Sequence, residues 1–408
     1  MRKIMVLAGG NDQAALIQEL RTKFKDLEVI LIDFAPNVVA SKYADKHIVE
    51  STMDLHKVKE IAIAEKVDYI LTACGDQPLL TMALVSDELG LPCYLSKKQV
   101  LNLTNKMYMK KLMMEYNIPT SKFKTFTSKD ELDITGLTYP LVVKPVDSNG
   151  SKGVRKVMND AELHEFIKDA FRFTLTDTVI VEEFNEGIEI SADFYVIDGK
   201  AHKVMWCQLN KFQVNDSTQI IYQSVIPPVL SGKSSAALNE IANKIAKAYE
   251  VNNSPLLIQA IVNKDDVRVI EFSARLGGGA KYKTIHNVTG FNVLKANLES
   301  MLGEVPDLNI YDSGRYYSRC HIYLTGGKFM AIEGLDELLK NGTIREYVLT
   351  RPFGVNVNTP TSSSDRVASV FIEANDQMDL NRKVKIAIST LKVLDENGND
   401  ILKRDMYI

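Results

Sequence analysis

The sequence predicts an α/β protein in three parts: an N-terminal doubly wound parallel sheet over residues 1–103, a central unit over 104–308, and a further α/β region over 309–408. Three observations carry that expectation. Residues 1 to about 100 alternate short apolar runs with helical patterns, as strand–helix units on a parallel sheet do. Leu141–Val154, LVVKPVDSNGSKGV, sets an apolar strand, a lysine, a strand-stopping proline and a small polar loop in series. Leu256–Val262 and Val267–Ser273 read as a hairpin that collects polar groups on one face.

A chain of 408 residues exceeds what one core organises, so two or three domains are expected. Apolar residues make up 45% and charged residues 25%, the balance of an ordinary globular protein. A net charge of −3 gives no electrostatic reason to expect nucleic acid or a membrane as partner. Cys74, Cys93, Cys207 and Cys320 lie far apart with no CxxC pair, which indicates neither a disulfide framework nor a zinc site. The apolar run Ile4–Ala8 is too short for a signal peptide, and no stretch approaches the ~18 apolar residues of a membrane span, so the cytoplasm is the expected compartment.

In order, Ile4–Ala8, Val29–Ile32, Ile48-Val49 and Tyr69–Thr72 are expected as strands, with helices at Asp12–Phe24, Asp54–Lys66 and Pro78–Leu89. Gly9-Gly10 closes the first strand-to-helix turn. It lacks the GxGxxG of a dinucleotide site, so a plain tight turn competes with a cofactor role. Leu101–Tyr116 follows as a helix capped by Thr104 or Asn105 and stopped by Asn117-Ile118-Pro119. Lys106 stands in its first turn, unfavourably for the helix dipole, so it either meets a partner or lies in water.

A compact subdomain is expected at about 118–184. Its parts are a strand at Lys122–Phe126, the Leu141–Val154 stretch continuing as a strand to Val157, a helix at Ala161–Ala170 and a strand at Thr178–Val181. Within Asn149–Gly153, two glycines allow successive N–H groups to line one concavity, which suits phosphate oxygens as well as it suits a surface hairpin. The following Val181–Glu189 stretch carries Glu182, Glu183, Phe184 and Glu189. A hinge and carboxylates there fit a nucleoside, and they equally fit an acidic surface loop.

Strands at Ile190–Val196 and Ala201–Trp206 flank an Asp198-Gly199 turn. Gln208–Tyr222, polar and carrying Lys211, is expected as a loop over a site or a connection, and Leu230–Val251 holds a helix. If Lys264-Asp265-Asp266 is a three-residue loop, Gln259 lies opposite Glu271. Glu271, Ser273 and Arg275 then share that face by strand alternation. A carboxylate, an amide oxygen and a hydroxyl are hard ligands of the kind Mg²⁺ takes, and Arg275 adds a planar fork for carboxylate or phosphate. Gly277-Gly278-Gly279 permits close backbone approach. Beyond residue 309 come a strand at Tyr316–Leu324, a helix at Leu335–Asn341, a strand at Val367–Ala374 and a helix at Asp379–Leu391, with no chemical constellation.

Taken together these pieces resemble the ATP-grasp superfamily, most closely its carbamoyl-phosphate-synthase-like and L-amino-acid-ligase branch. The resemblance implies a Rossmann-like first domain, an ATP-grasp domain with its lid at about 118–184, and a C-terminal α/β region. It implies ATP contacts from Lys106, Lys144, the lid residues Gly150, Ser151 and Gly153, the hinge Glu182-Glu183-Phe184 and Glu189. Gln259, Glu271 and Ser273 stand at the metal positions for Mg²⁺, with Mn²⁺ as the alternative, and Ser273 replaces the usual asparagine. Arg275 is the implied catalytic residue, holding the transferred phosphate. The implied activity is ADP-forming ligation of a small carboxylate to an amine through an acyl phosphate. A bicarbonate-activating, carbamoyl-phosphate-synthase-like enzyme or an inactive nucleotide-binding module are the alternatives, and a homodimer is compatible with the family. The substrate-setting segments are expected to be the loops Gln208–Tyr222 and Lys281–Thr289.

Overall fold

The computed structural model describes residues 1–147, 153–174, 176–215 and 218–407. Its N-terminal part contains β1 (Arg2–Leu7), α1 (Asn11–Lys23), β2 (Leu27–Asp33), β3 (Lys46–Val49), α2 (Leu55–Glu65), β4 (Tyr69–Leu71) and α3 (Asp76–Leu89). The strands form a parallel sheet in the order β3-β2-β1-β4. Ile4, Met5, Val6 and Leu7 are all fully buried, as expected of a central strand covered on both faces. The tight-turn role of Gly9 is physical: a Cβ there would stand 2.3 Å from Val38 Cγ2. Its N–H donates to Asp33 Oδ2 at 2.7 Å.

The helix expected at Leu101–Tyr116 is two helices, α4 (Lys97–Thr104) and α5 (Lys106–Glu115). Asn105 separates them with an extended backbone, φ −109° and ψ 113°. Its side-chain oxygen accepts from the N–H groups of Met107 and Tyr108, so the cap that starts α5 also ends α4.

A four-stranded unit comprises β5 (Phe123–Phe126), β6 (Leu141–Pro145), β7 (Arg155–Val157), α6 (Asp160–Phe171) and β8 (Val179–Glu183), with strand order β5-β8-β6-β7. Its own core packs Leu163, Ile167 and Ala170 of α6 on Leu141, Val143, Val179 and Val181 of the sheet.

The largest sheet has eight strands in the order β13-β12-β9-β10-β11-β14-β19-β17. They are β9 (Ile188–Ile197), β10 (Lys200–Asn215), β11 (Thr218–Ile226), β12 (Ser254–Asn263), β13 (Asp266–Ser273), β14 (Tyr316–Ile322), β17 (Glu346–Leu349) and β19 (Ala368–Ala374). Strands from beyond residue 309 thus continue the sheet begun by β9–β13. The helices α7 (Gly232–Ala248), α8 (Lys281–Thr289), α9 (Val293–Met301), α10 (Leu335–Lys340) and α11 (Gln377–Thr390) pack around it, with short strands β15 (Gly327–Phe329), β16 (Ala331–Glu333), β18 (Val355–Val357) and β20 (Lys392–Leu394).

Two expected loops are regular structure. Most of Gln208–Tyr222 lies in β10 and β11, where polar side chains satisfy one another along β10 and across to β11. Gln208 donates to Asn210, and Asn210 donates to Gln223, each at 2.9 Å. Lys281–Thr289 is helix α8, entered through Ala280 in the left-handed region at φ 60°. Among the described residues no helix is long and apolar enough to cross a membrane.

Candidate functional site

The β12–β13 hairpin reaches the expected pairing by an unexpected route. Asn263 pairs with Asp266, so the loop has two residues, with Lys264 at φ 54°. That register alone would set Gln259 against Ile270. A β-bulge between Gln259 and Ala260 shifts it by one residue and brings Gln259 opposite Glu271.

Pairing then extends this face across the sheet. Gln259 stands opposite Ser191, Ser191 opposite Cys207, and Glu189 opposite Leu209. Further along, Ser224 stands opposite Arg319 and His321 opposite Ser369. Partners across a ladder share a face. Leu209 stands opposite Ser224, so one side of the sheet carries Glu271, Gln259, Glu189, Ser191 and Asp193 together with Arg319, which lies three strands beyond β9.

Helix α5 lies over the Glu271 part of this face. Lys106 and Lys110, one turn apart, share a helix face. Lys106 Nζ is 3.7 Å from Glu271 Oε2. Lys110 Nζ is 2.6 Å from Glu182 Oε2 and donates to Thr120 Oγ1 at 2.7 Å. Lys144 Nζ reaches the other oxygen of Glu182 at 2.5 Å. All three members of this cluster are buried, Lys110 at 1% exposure. Burial alone would raise the Glu182 carboxyl, but the charges of Lys110 and Lys144 outweigh it and hold it at about 2. Lys110 has half a carboxylate against complete burial and the repulsion of Lys144, so its pKa falls to about 8. Glu189 is bridged similarly, with Lys211 Nζ at 2.5 Å and Gln259 Nε2 at 3.4 Å.

Arg275 and Ser273 both meet a carboxylate from the N-terminal sheet region. The Arg275 fork is spent on Asp76, at 2.7 Å from Nε and 2.6 Å from Nη2, and the Ser273 hydroxyl donates to the same carboxylate at 2.8 Å. Asp76 opens α3 of the N-terminal sheet domain, and Cys74 just before it bridges to Leu276. Burial would raise Asp76, yet Arg275 outweighs it and keeps the carboxyl below its ordinary range. Asp76, Thr104, Lys106, Gln259, Glu271 and Arg275 line one cleft.

The hinge differs in detail from its expected use. The N–H of Glu183 donates to Lys122 O and that of Phe184 to Pro140 O, both at 2.9 Å, so these two donors hold β8 in place and do not face a base. Lys156 lies over the Phe184 ring at 3.9 Å. Gly153 has φ +71°, and a Cβ there would meet Phe173 at 2.9 Å. Gly150 and Ser151 lie outside the described residues.

The same face also holds groups the sequence did not single out. Arg319 is 6% exposed, with Nη1 donating to Gly279 O at 3.0 Å and Nη2 to Ser224 at 3.4 Å. Among the described residues its Nε has no hydrogen-bond partner and no carboxylate is in contact with it, though Asp12 and Asp193 act on it at longer range; burial outweighs them and lowers its pKa to about 10. Lys281 is satisfied by Asp193 and Ser191, each at 2.6 Å. Asp12 accepts from the N–H groups of Gly279 and Ala280. Arg319 comes from the region beyond residue 309, where the sequence shows no chemical constellation. No local pattern marks an arginine inside the apolar alternation of β14. Lys110 did leave a signal, its spacing of four from Lys106.

For a divalent cation the donor set is spare but suitable. Glu271 offers a carboxylate, and Gln259, which gives its N–H to Glu189, retains its amide oxygen. No group of three His, Cys, Asp or Glu gathers among the described residues. That fits Mg²⁺, which keeps waters and phosphate oxygens around one or two protein ligands.

Residues 104–279 match the model of the phosphoribosylglycinamide synthetase ATP-grasp (A) domain. A phosphoribosylamine–glycine ligase of Lactococcus lactis is 25% identical over 372 residues, covering 87% of this chain and 85% of that protein. A D-alanine–D-alanine ligase of Pediococcus pentosaceus is 32% identical over 176 residues, 41% of this chain and 48% of that one. The crystal structure of an L-amino acid ligase from Bacillus licheniformis superposes with a TM-score of 0.77 at 19% identity, covering 97% of this chain and 99% of that one.

Proposed function

This chain is an ATP-grasp ligase, ADP-forming and carbon–nitrogen bond forming, and from that premise we propose that it joins a small carboxylate to the amine of an amino acid through an acyl phosphate. The observation that carries the choice of an acid substrate is Arg319: a buried guanidinium with no carboxylate in contact among the described residues, on the same sheet face as Glu271 and Gln259. A buried charge balanced only at longer range, by Asp12 and Asp193, is costly, and a substrate carboxylate in contact would offset that cost.

The chemistry follows from charge. Lys106 and Lys144 bind and orient the triphosphate, and Glu271 with Gln259 would hold Mg²⁺, which neutralises phosphate oxygens when bound. A carboxylate oxygen of the acid attacks the γ-phosphorus, the bond to the β-phosphate oxygen breaks, and ADP leaves. Arg275, fixed by Asp76, stands at the cleft to steady the transferred group. The amine nitrogen then attacks the acyl carbon, inorganic phosphate departs, and the nitrogen loses a proton. An acyl-enzyme route has little support. His321 Nδ1 and Ser369 Oγ are 2.8 Å apart, but they are 1% and 0% exposed, and burial holds the imidazole well below its ordinary pKa.

The test is ADP release over a panel of amino acids, sugar acids and bicarbonate, with and without amines. The expected products are ADP and phosphate, and the acid with hydroxylamine in place of the amine should give a hydroxamate only when ATP is present. AMP and pyrophosphate, or an isolable acyl-enzyme, would overturn the proposal. Turnover with bicarbonate alone among the acids would favour a carboxylase.

A further inference from the structure

We propose that Lys110 is a positioning residue of the nucleotide site, holding Glu182 so that Lys144 stays in place and keeps net positive charge for the phosphates. The inference rests on the ATP reading of the site and goes beyond it, since Lys110 itself touches no ligand position.

The geometry sets Lys110 behind Glu182. Its Nζ binds Glu182 Oε2 at 2.6 Å while Lys144 binds Oε1 at 2.5 Å, so one carboxylate is divided between two ammonium groups. With both lysines present the cluster carries one positive charge in excess. Without Lys110, Glu182 and Lys144 would form a neutral pair, and Lys144 would meet an incoming phosphate with its charge cancelled at contact distance. Lys110 is also fixed from a second side: Thr120 Oγ1 accepts from it at 2.7 Å and donates to Val269 O at 2.8 Å. Val269 lies on β13, two residues before Glu271. Lys110 thereby ties the hinge strand β8 to the strand that carries Glu271, while Lys106, one turn earlier on the same helix, reaches Glu271 itself.

Stability alone does not account for the arrangement. Buried ionic clusters are commonly replaceable by apolar side chains at no loss of stability. Methionine at this position would keep the packing beside Phe123, whose ring centre lies 5.2 Å from Lys110 Nζ. What an apolar residue could not supply is the second charge.

Calorimetric titration of MgADP and of adenosine into the wild-type chain, Lys110→Met, Lys110→Arg, Thr120→Val, Glu182→Gln and the Lys110→Met/Glu182→Gln double variant tests this. Lys110→Met should weaken MgADP about tenfold or more, the size of one charge-assisted contact, and adenosine less than about threefold. Lys110→Arg should recover most of the loss. Thr120→Val, a near-isosteric change that spares the charge, should show a smaller MgADP-selective loss. In the Glu182→Gln background Lys110→Met should add less than about twofold, because its effect passes through that carboxylate. Equal losses for adenosine and MgADP, additivity with Glu182→Gln, or unchanged MgADP affinity in Lys110→Met beside a wild type that binds would overturn the inference alone. A wild type that binds no MgADP would overturn the functional proposal, and this inference with it.

Discussion

Asp76→Asn isolates the contact that joins the N-terminal sheet domain to the candidate site. Asp76 takes two hydrogen bonds from Arg275 and one from Ser273, and the paired side chains are 16% and 17% exposed. Asparagine keeps the shape, loses the charge, and turns an amide donor toward a guanidinium that has only donors. Removing one partner of a buried pair costs roughly 3–5 kcal/mol, and residual exposure favours the lower end, about 3. With an unfolding entropy of about 2.1 cal/mol/K per residue over 408 residues, the melting temperature should fall by roughly 3–4 °C. The loss should depend on pH. The Asp76 carboxyl lies below its ordinary range because Arg275 outweighs burial. Its contribution is thus fully present above the unfolded-state value, near 3.9, and disappears as pH falls through the lower folded-state value. The gap between wild type and variant should be complete at pH 7 and narrow below about pH 4. In an ADP-release assay turnover should drop about tenfold or more with KM for ATP little changed, since a loosened Arg275 misplaces the transferred group and not the nucleotide. Scanning calorimetry across pH and steady-state kinetics provide the readouts. A melting point within 1 °C of wild type at pH 7, or a gap that persists undiminished at low pH, would refute the reasoning.

Glu271→Ala should abolish Mg²⁺-dependent ADP formation, by about a hundredfold or more, while nucleotide affinity in metal-free buffer changes little; activity over a Mg²⁺ titration checks it. Arg319→Gln should raise KM for the acid by roughly 10- to 100-fold, matching one charge-assisted bond, with KM for ATP unchanged. Because it removes a buried charge with no carboxylate in contact among the described residues, the same variant should melt no lower than wild type, which thermal unfolding measures.

The sequence by itself determined what is local. Strand–helix alternation with β-branched and apolar runs specified the parallel sheet of the first hundred residues, because such strands are buried on both faces. Period-2 alternation put Glu271 and Ser273 on one face of β13, and a lysine before Pro145 marked the end of β6. Segments failed where polarity stood in for irregularity: Gln208, Asn210 and Gln223 look loop-like but satisfy each other within a ladder. The register of β12 against β13 was legible in outcome and not in cause. A two-residue turn and a bulge cancel to the same pairing as a three-residue turn, and side-chain alternation responds only to their sum. What no sequence window contains is partnership across the chain. Asp76 meets Arg275 from 199 residues away, Lys144 and Lys110 converge on Glu182 from separate elements, and Arg319 joins the face from beyond residue 309. Those contacts depend on how three sheets dock. Their charges can be buried only where docking brings a counter-charge within hydrogen-bond reach, and tertiary structure alone decides that.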